Sequence, residues 1–414
     1  MKHKRQKAIA FLMLIMVVSF NFTSYGADFR TVKSITPFDK KVIHFKPDQY
    51  GNGINEETDI LRLGNGRLIL KKIQLPKLKR DIQLKANIIL TSNGDPWDKS
   101  GSCFIIPAQS NINMLDVAAG SARYPETDSS YTENLQGVIA SNGFFPPVEI
   151  MRFMTPFGVG FFNTGDSLST SRKKPIYIDE WAPHAKWEED ISDLYPLLTE
   201  EVYIGIFIDT WTKEGYQVTL NLELKESEVK QDKLKNKTIL PLVNTVYYEG
   251  QSHPDIFARQ DLSAPFTIPK KAKNIKLKYI VTGHGGHSGG DEFVPNENII
   301  TIDNTKVYSF TPWRTDCASF RRFNPATGVW LAEREVSFIS REGRQVKTIE
   351  EPIASSDLSR SNWCPGTQVT PVTIPLNQLE SGDHILKISI PKAKPMEENK
   401  MNHWLVSAYL VWEE

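Results

Sequence analysis

Cysteine is scarce: Cys103, Cys317 and Cys364 are the only three in 414 residues. That excludes a disulfide-built scaffold and allows at most one intramolecular pair. Net charge is absent, because Lys+Arg and Asp+Glu both number 49. Nothing in that balance draws the chain to nucleic acid or to an anionic membrane. After the N-terminal segment, no apolar run approaches the ~20 residues that a spanning helix needs. Long helical periodicities are missing too. The best short candidate is "EEDISDLYPLL" (Glu188 to Leu198), and Pro196 interrupts it. No internal repeat is visible.

The N-terminus does carry an apolar run. "MKHKRQK" is a basic region, "AIAFLMLIMVVSF" an apolar one, and "SYGA" supplies small residues for cleavage. This pattern predicts a secretory signal peptide over residues 1–26, cut after Gly26 or Ala27. The competing reading, a membrane anchor, is disfavoured by the shortness of the run. No cysteine near the cut supports a lipid anchor. An exported chain, periplasmic or secreted, with no membrane contact after cleavage is therefore expected. Export permits a disulfide. Cys317 and Cys364 lie in polar, loop-like contexts, and if bridged they would close a loop worth ~4 kcal/mol. Cys103, in strand-like "GSCFIIP", reads as a buried free thiol.

Strand signals fill the rest. In "YQVTLNLEL", Tyr216, Val218, Leu220, Leu222 and Leu224 alternate with polar residues. "DIQLKANIIL" (Ile82, Leu84, Ala86, Ile88, Leu90) and "NIKLKYIV" (Ile275, Leu277, Tyr279, Val281) repeat the period of two, as do Leu386, Ile388 and Ile390. With 25 Gly and 25 Pro punctuating short strands, the chain reads as all-β, of the sandwich or jelly-roll kind. The alternation predicts antiparallel sheets with one wet face. Charged "KESEVKQDKLKNK" (Lys225 to Lys237) divides two strand-rich halves, 27–226 and 239–414, with a linker at 227–238. The stretch from Ala108 to Gly143 reads as an inserted surface loop.

Four segments at strand ends hold reactive residues. "GHGGHSGGDEF" (Gly283 to Phe293) offers His284, His287, Asp291 and Glu292. These are ligand types for a divalent metal, although the spacing is not that of a helical zinc motif. Asp291 and Glu292 also read as catalytic carboxylates, or as a solvated acidic turn. A phosphate cradle is excluded, because no helix pattern follows the glycines. "NGDPWDKSG" places Asp95 and Asp98 around Trp97; "IDTW" holds Asp209 and Trp211; "SRSNWCPG" holds Arg360 and Trp363. Carboxylates, an arginine and flat indoles together suit a carbohydrate or glycoconjugate. These residues alone leave binding and hydrolysis open.

Taken in order, these segments resemble the bacterial peptide-N-glycosidase F family. "DPWDK", "EIMRFMTPFGVG", "DISDLYPLL" followed by "IDTW", "TGHGG" with "GGDEF", and "DCASF" with "SRSNWCPG" are each similar to a family segment. The resemblance covers most of the mature chain. It implies two antiparallel jelly-roll β-sandwich domains packed side by side, with a cleft between them. It also implies hydrolysis of the amide bond joining asparagine to the innermost N-acetylglucosamine of N-glycoproteins or N-glycopeptides, with no required cofactor and a monomeric chain. Asp98 matches the principal catalytic aspartate, Glu292 the second acid, and Asp209 a glutamate that binds and orients. Arg360 matches the arginine that pairs with that glutamate. Trp211 and Trp363 match cleft tryptophans; Trp97, Lys99, His284 and Asp291 fall among the substrate-binding positions. Cys317 and Cys364 match a bridged pair.

Some positions depart from the family. Asp209 is one methylene short of a glutamate. Lys99 stands where the family has arginine, which loses two-pronged recognition. His284 stands where the family has tryptophan, and cysteines flanking two family loops are absent. A divalent metal at the His284, His287 and Asp291 loop is the feature these departures could add. A glycan-binding protein on the same scaffold and a metal-dependent hydrolase are the competing functions.

Overall fold

The structure, a computed structural model, describes residues 29–51, 53–127, 135–163, 178–229, 234–251, 255–327 and 329–414. The expected signal segment 1–26 lies outside the described residues, as do 230–233 of the expected linker and 128–134 of the expected loop. Among the described residues no helix is long and apolar enough to cross a membrane.

The chain forms two antiparallel β-sandwiches. In the first, a four-stranded sheet runs Phe29–Ile43, Tyr216–Ser227, Ile82–Ser92, Ala185–Asp190. It packs on a seven-stranded sheet ordered Gln368–Val369, Val148–Met154, Ser100–Ile106, Val202–Ile208, Leu68–Ile73, Ile60–Leu63, Asn55–Glu57. In the second, Lys237–Asn244, His403–Glu413, Lys273–His284 and Val372–Pro375 form one sheet. Its partner sheet is Leu262–Ile268, Gly382–Ser389, Asn298–Ile302 and Thr305–Phe310. Between Cys317 and Cys364, which are disulfide-bonded, a two-stranded arm projects, Val329–Ser340 against Gly343–Ala354. Its tip residue Ile339 is 89% exposed.

The sequence periodicity carries through to burial. Along Tyr216–Ser227 the residues from Tyr216 to Leu224 alternate buried and half-buried. Ile82–Ser92 does the same beside it, in register from Tyr216 opposite Ser92 to Glu226 opposite Ile82. Each aliphatic side chain so buried stabilises the fold by ~1.5–3 kcal/mol.

The expectation of one wet face fails at the seam between the sandwiches. Val148–Met154 is buried at every residue and His403–Glu413 at all but its last. Lys273–His284 alternates at first, then is buried on both sides from Ile280 onward. Met154, Ile280, Trp363 and Val369 form a small core there. These strands carry apolar residues on both faces because each face meets a sheet.

A buried ion pair pins the seam. Glu149 and Arg152, both within "EIMRFM", meet at 2.6 Å. In a regular strand, residues three apart face opposite ways. The register shift between Cys103 and Phe104 against Val148–Met154 inserts one residue, which turns both side chains to one face. Arg152 then donates to Thr282 Oγ1 (3.2 Å) and to the Leu405 carbonyl, both in the second sandwich. Removing either charge would strand the other in the interior, at a cost of ~3–5 kcal/mol.

Two sequence expectations need correction. "EEDISDLYPLL" splits: Ala185–Asp190 is strand, and only Ser192–Leu194 and Tyr195–Leu198 are helical. Pro196 opens that helical turn rather than breaking it, because a proline at the first turn forfeits no helical hydrogen bond. The stretch from Ala108 to Gly143 is not simply a surface loop. Asn113 caps the helix Met114–Ala118, and Leu135, Val138 and Ile139 are buried in the core of the second sandwich. Its apolar residues are too widely spaced to show a period.

Candidate active site

The seven-stranded sheet places two carboxylates at one end of its two central strands. Asp98 precedes Ser100–Ile106, and Asp209 follows Val202–Ile208; the strands are antiparallel neighbours, with Gly101 opposite Ile208. Asp209 N–H donates to the Ser100 carbonyl at 3.0 Å. Asp95, fully buried, ties the two turns together. Its Oδ1 accepts the Trp97 N–H (2.9 Å), and its Oδ2 accepts the hydroxyls of Thr210 (2.7 Å) and Thr212 (3.1 Å). Tyr216 O–H donates to the Trp97 carbonyl, and Lys99 N–H donates to Thr155 Oγ1 at 2.8 Å. Asp95 is thus an internal strut, and its neighbour Asp98 is left with a side chain 18% exposed. Trp97 and Trp211 stand out as surface indoles, 55% and 58% exposed.

The second sandwich delivers the partner acid. Strand Lys273–His284 ends in the glycine-rich loop, which folds tightly onto itself. A Cβ on Gly290 would lie 2.1 Å from the Gly285 carbonyl oxygen, and Gly285 itself has φ +150°. Asp291 locks this fold: it accepts from Asn296 Nδ2 (3.0 Å) and Lys394 N–H (3.0 Å), and its own N–H donates to Asn402 Oδ1 (3.1 Å). Ser361 N–H donates to the Glu292 carbonyl at 2.9 Å. Asp291 is therefore structural and fully buried, not a substrate contact. Glu292 is the acid the loop presents.

Arg360 lies between Glu292 and Asp98. Its Nε donates to Glu292 Oε1 at 2.9 Å, and its Nη2 sits 3.6 Å from Asp98 Oδ2. Nη1 donates to the Leu358 carbonyl, and the guanidinium packs on the rings of Trp363 (4.8 Å) and Phe293 (5.2 Å). Burial pushes the Glu292 carboxyl up to about 7; Arg360 opposes the rise, and the Asp98 charge adds to it. Asp98 is raised too, by burial first, against the pull of Arg360 and Lys99.

The expected pairing of Arg360 with Asp209 is not made. Asp209 instead accepts from Arg67 Nη1 (3.1 Å) and from the Tyr247 hydroxyl (2.8 Å). The aspartate, shorter than a glutamate, is met by an arginine in the turn just before the neighbouring strand Leu68–Ile73. Burial still raises its pKa, against the Tyr247 hydrogen bond and Arg67. Arg67 and Tyr247 were not anticipated from the sequence. The one local signal was an arginine after the turn "GNG" at the head of an apolar strand.

Two other expected contacts turn inward. Trp363 is buried, and its indole N–H donates to the Gly283 carbonyl at 2.9 Å. His284 is buried between the rings of Trp363 (5.5 Å) and His403 (4.9 Å), with Nε2 2.7 Å from Thr282 Oγ1. Burial, and then His403, hold it well below the usual histidine range, so it is neutral. Neither side chain offers a stacking face to a ligand. His287 Nε2 lies 3.2 Å from Asn402 Oδ1, whereas His284 Nε2 is committed to Thr282 Oγ1. Asp291 is committed to Asn296 and Lys394, so the imagined ligand set does not converge. Among the described residues no group of three or more His, Cys, Asp or Glu is placed to hold a metal ion.

The model for "Peptide-N-glycosidase F, N terminal" matches residues 34–224, and that for "Peptide-N-glycosidase F, C terminal" matches residues 252–411. No curated protein matches the sequence. A solved structure of PNGF-II superposes with a TM-score of 0.76 at 35% identity, over 92% of this chain and 66% of that one. A second PNGF-II structure has the same TM-score and identity. The chain thus spans just under two thirds of PNGF-II. PNGase F, a glycosylasparaginase from Flavobacterium meningosepticum, shares the fold at a TM-score of 0.55 and 14% identity, over 92% of this chain and 96% of that one. With the N-terminal and C-terminal family models together matching most of the chain, the chain belongs to the peptide-N-glycosidase F family.

Proposed function

We propose that the chain is a glycoamidase. It hydrolyses the amide bond between asparagine and the innermost N-acetylglucosamine of an N-glycoprotein or N-glycopeptide, and leaves aspartate in the peptide. The observation that carries this reading is Arg360 gripping Glu292 beside Asp98 at the seam. Burial, with the Asp98 charge adding to it, raises Glu292 to about 7 despite Arg360, so the pair retains a proton near neutrality.

That proton state suits amide hydrolysis, where water is a weak nucleophile and nitrogen a poor leaving group. Asp98 takes a proton from the attacking water as its oxygen bonds to the carboxamide carbon. Glu292 orients that water and, while protonated, stabilises charge building on the carbonyl oxygen. The C–N bond then breaks, and the nitrogen departs with a proton returned by Asp98. The released amino sugar loses ammonia in water to give the free glycan. Asp209, Trp97, Trp211 and Lys99 hold the sugar, the indoles by stacking and the polar groups through hydroxyls.

The N-terminal apolar segment and the Cys317–Cys364 disulfide support an exported chain. It acts as a monomer, since both sandwiches of one chain complete the site.

The test is mass spectrometry of a defined N-glycopeptide after incubation with the purified protein, with and without chelator. Free glycan plus an Asn-to-Asp mass shift is expected in both arms. An unchanged peptide that still binds the protein would replace the amidase with a glycan-binding function.

A further inference from the structure

Arg67 makes three kinds of contact at once. Its Nη1 donates to Asp209 Oδ1 (3.1 Å), its Nε donates to the Gly64 carbonyl (3.1 Å), and its guanidinium lies 4.5 Å from the centre of the Trp211 ring. Phe45 lies against the same guanidinium at 5.4 Å and against Trp211 at 5.1 Å. Trp211 is a surface indole that also interacts directly with the Asp209 carboxylate. Tyr247, from the second sandwich, takes the other oxygen of Asp209.

We infer that Arg67 is a positioning residue that makes Asp209 and Trp211 one sugar-recognition unit, with Tyr247 as its second brace. The inference rests on the proposed sugar-directed role of the cleft. With each oxygen of Asp209 already bonded once, the carboxylate has a fixed rotamer. Its remaining lone pairs form an acceptor in a set direction for a sugar hydroxyl or acetamido N–H. The flat guanidinium beside Trp211 adds to the hold of Phe45 and Asp209 on the indole, limiting the tilt of an exposed ring, and its charge adds a cation–π attraction. A lysine could pair with Asp209 but could not brace the ring. The shorter acid in place of glutamate is thereby matched by a local arginine that holds it against the strand end.

The experiment compares Arg67→Ala, Arg67→Lys and Tyr247→Phe, each alone and combined with Trp211→Ala. Initial rates on a defined N-glycopeptide and calorimetric affinity for the free glycan are both measured. Arg67→Ala is expected to raise KM by ~10-fold, with kcat changed by less than ~3-fold. Arg67→Lys should recover the Asp209 contact but only part of the affinity. In the Trp211→Ala background, loss of Arg67 should cost much less than it does alone. Fully additive losses, or a fall in kcat with KM unmoved, overturn the inference. If Arg67→Ala does not fold, the lysine and Tyr247→Phe variants carry the same comparison. A parent protein that binds glycan without cutting it defeats the amidase reading, while the affinity arm still tests Arg67. A parent that neither cuts nor binds overturns both.

Discussion

Arg360 bonds Glu292 at 2.9 Å from a guanidinium that is almost wholly buried. The arginine therefore holds Glu292 in place beside Asp98, and leaves Asp209 to Arg67. Arg360→Lys keeps the charge but gives up the planar fork. Glycan release should fall by ~10²-fold in kcat/KM, with a melting temperature close to that of the parent. Arg360→Met should also destabilise the protein, because two neighbouring carboxylates lose their cation. Steady-state kinetics and thermal melts distinguish the two variants.

Asp98→Asn preserves the shape of the side chain but cannot accept the water proton. Turnover should fall by ~10²–10⁴-fold while glycopeptide binding and the melting curve stay in place. Retained turnover in a folded Asp98→Asn protein would sink the assignment of the base.

The raised carboxyls set the pH profile. Rate should fall above pH about 7 as Glu292 loses its proton, and fall in acid as Asp98 gains one above the ordinary aspartate value of 3.8. Glu292→Gln should flatten the alkaline limb of whatever activity remains.

Stability follows the same group. Folded Glu292 titrates at about 7 against an ordinary 4.5, so between those values the folded state binds more protons than the unfolded state. Its contribution to stability is complete below 4.5 and is lost as pH rises through 7, up to ~3 kcal/mol. Chemical unfolding at pH 5 and pH 8 should show this drop in the parent and a smaller one in Glu292→Gln.

Cys317 and Cys364 are 47 residues apart, and Cys364 follows Trp363, which packs on Arg360. Replacing both with serine should cost ~4 kcal/mol of stability in the chain-entropy account. It should also lower turnover below its parent value at temperatures where the variant remains folded, because the loop carrying Arg360 loses its tether.

The glycine-rich loop is not a metal site in this reading. Chelator should leave rates unchanged, and His287→Ala should do the same. A rate restored only by added divalent ion would overturn that.

Sequence periodicity made the first sandwich legible, because Tyr216–Ser227 and Ile82–Ser92 each have one dry face and one wet one. It said little about the seam strands, where burial on both faces erases the alternation, as in Val148–Met154. Strand-end position marked the segments holding Asp98, Glu292 and Asp209, but only their resemblance to family segments separated Asp98 from Asp95 and Glu292 from Asp291. Their partners could not be picked out. Arg67 and Tyr247 reach Asp209 from 142 and 38 residues away, and nothing local to either announces the meeting. His284 and Trp363 misled for the opposite reason. Residue types that suit ligand binding also suit a packed, hydrogen-bonded interior, and only the fold decides between them.

The seam has one more consequence. Asp98 and Asp209 belong to one sandwich, Glu292 and Tyr247 to the other, and the Glu149–Arg152 pair sets how the two sit. No single domain contains a diluted version of the chemistry. Turnover thus gauges domain alignment: a sub-ångström slip that leaves each sandwich folded would be silent in a melting curve and plain in the rate.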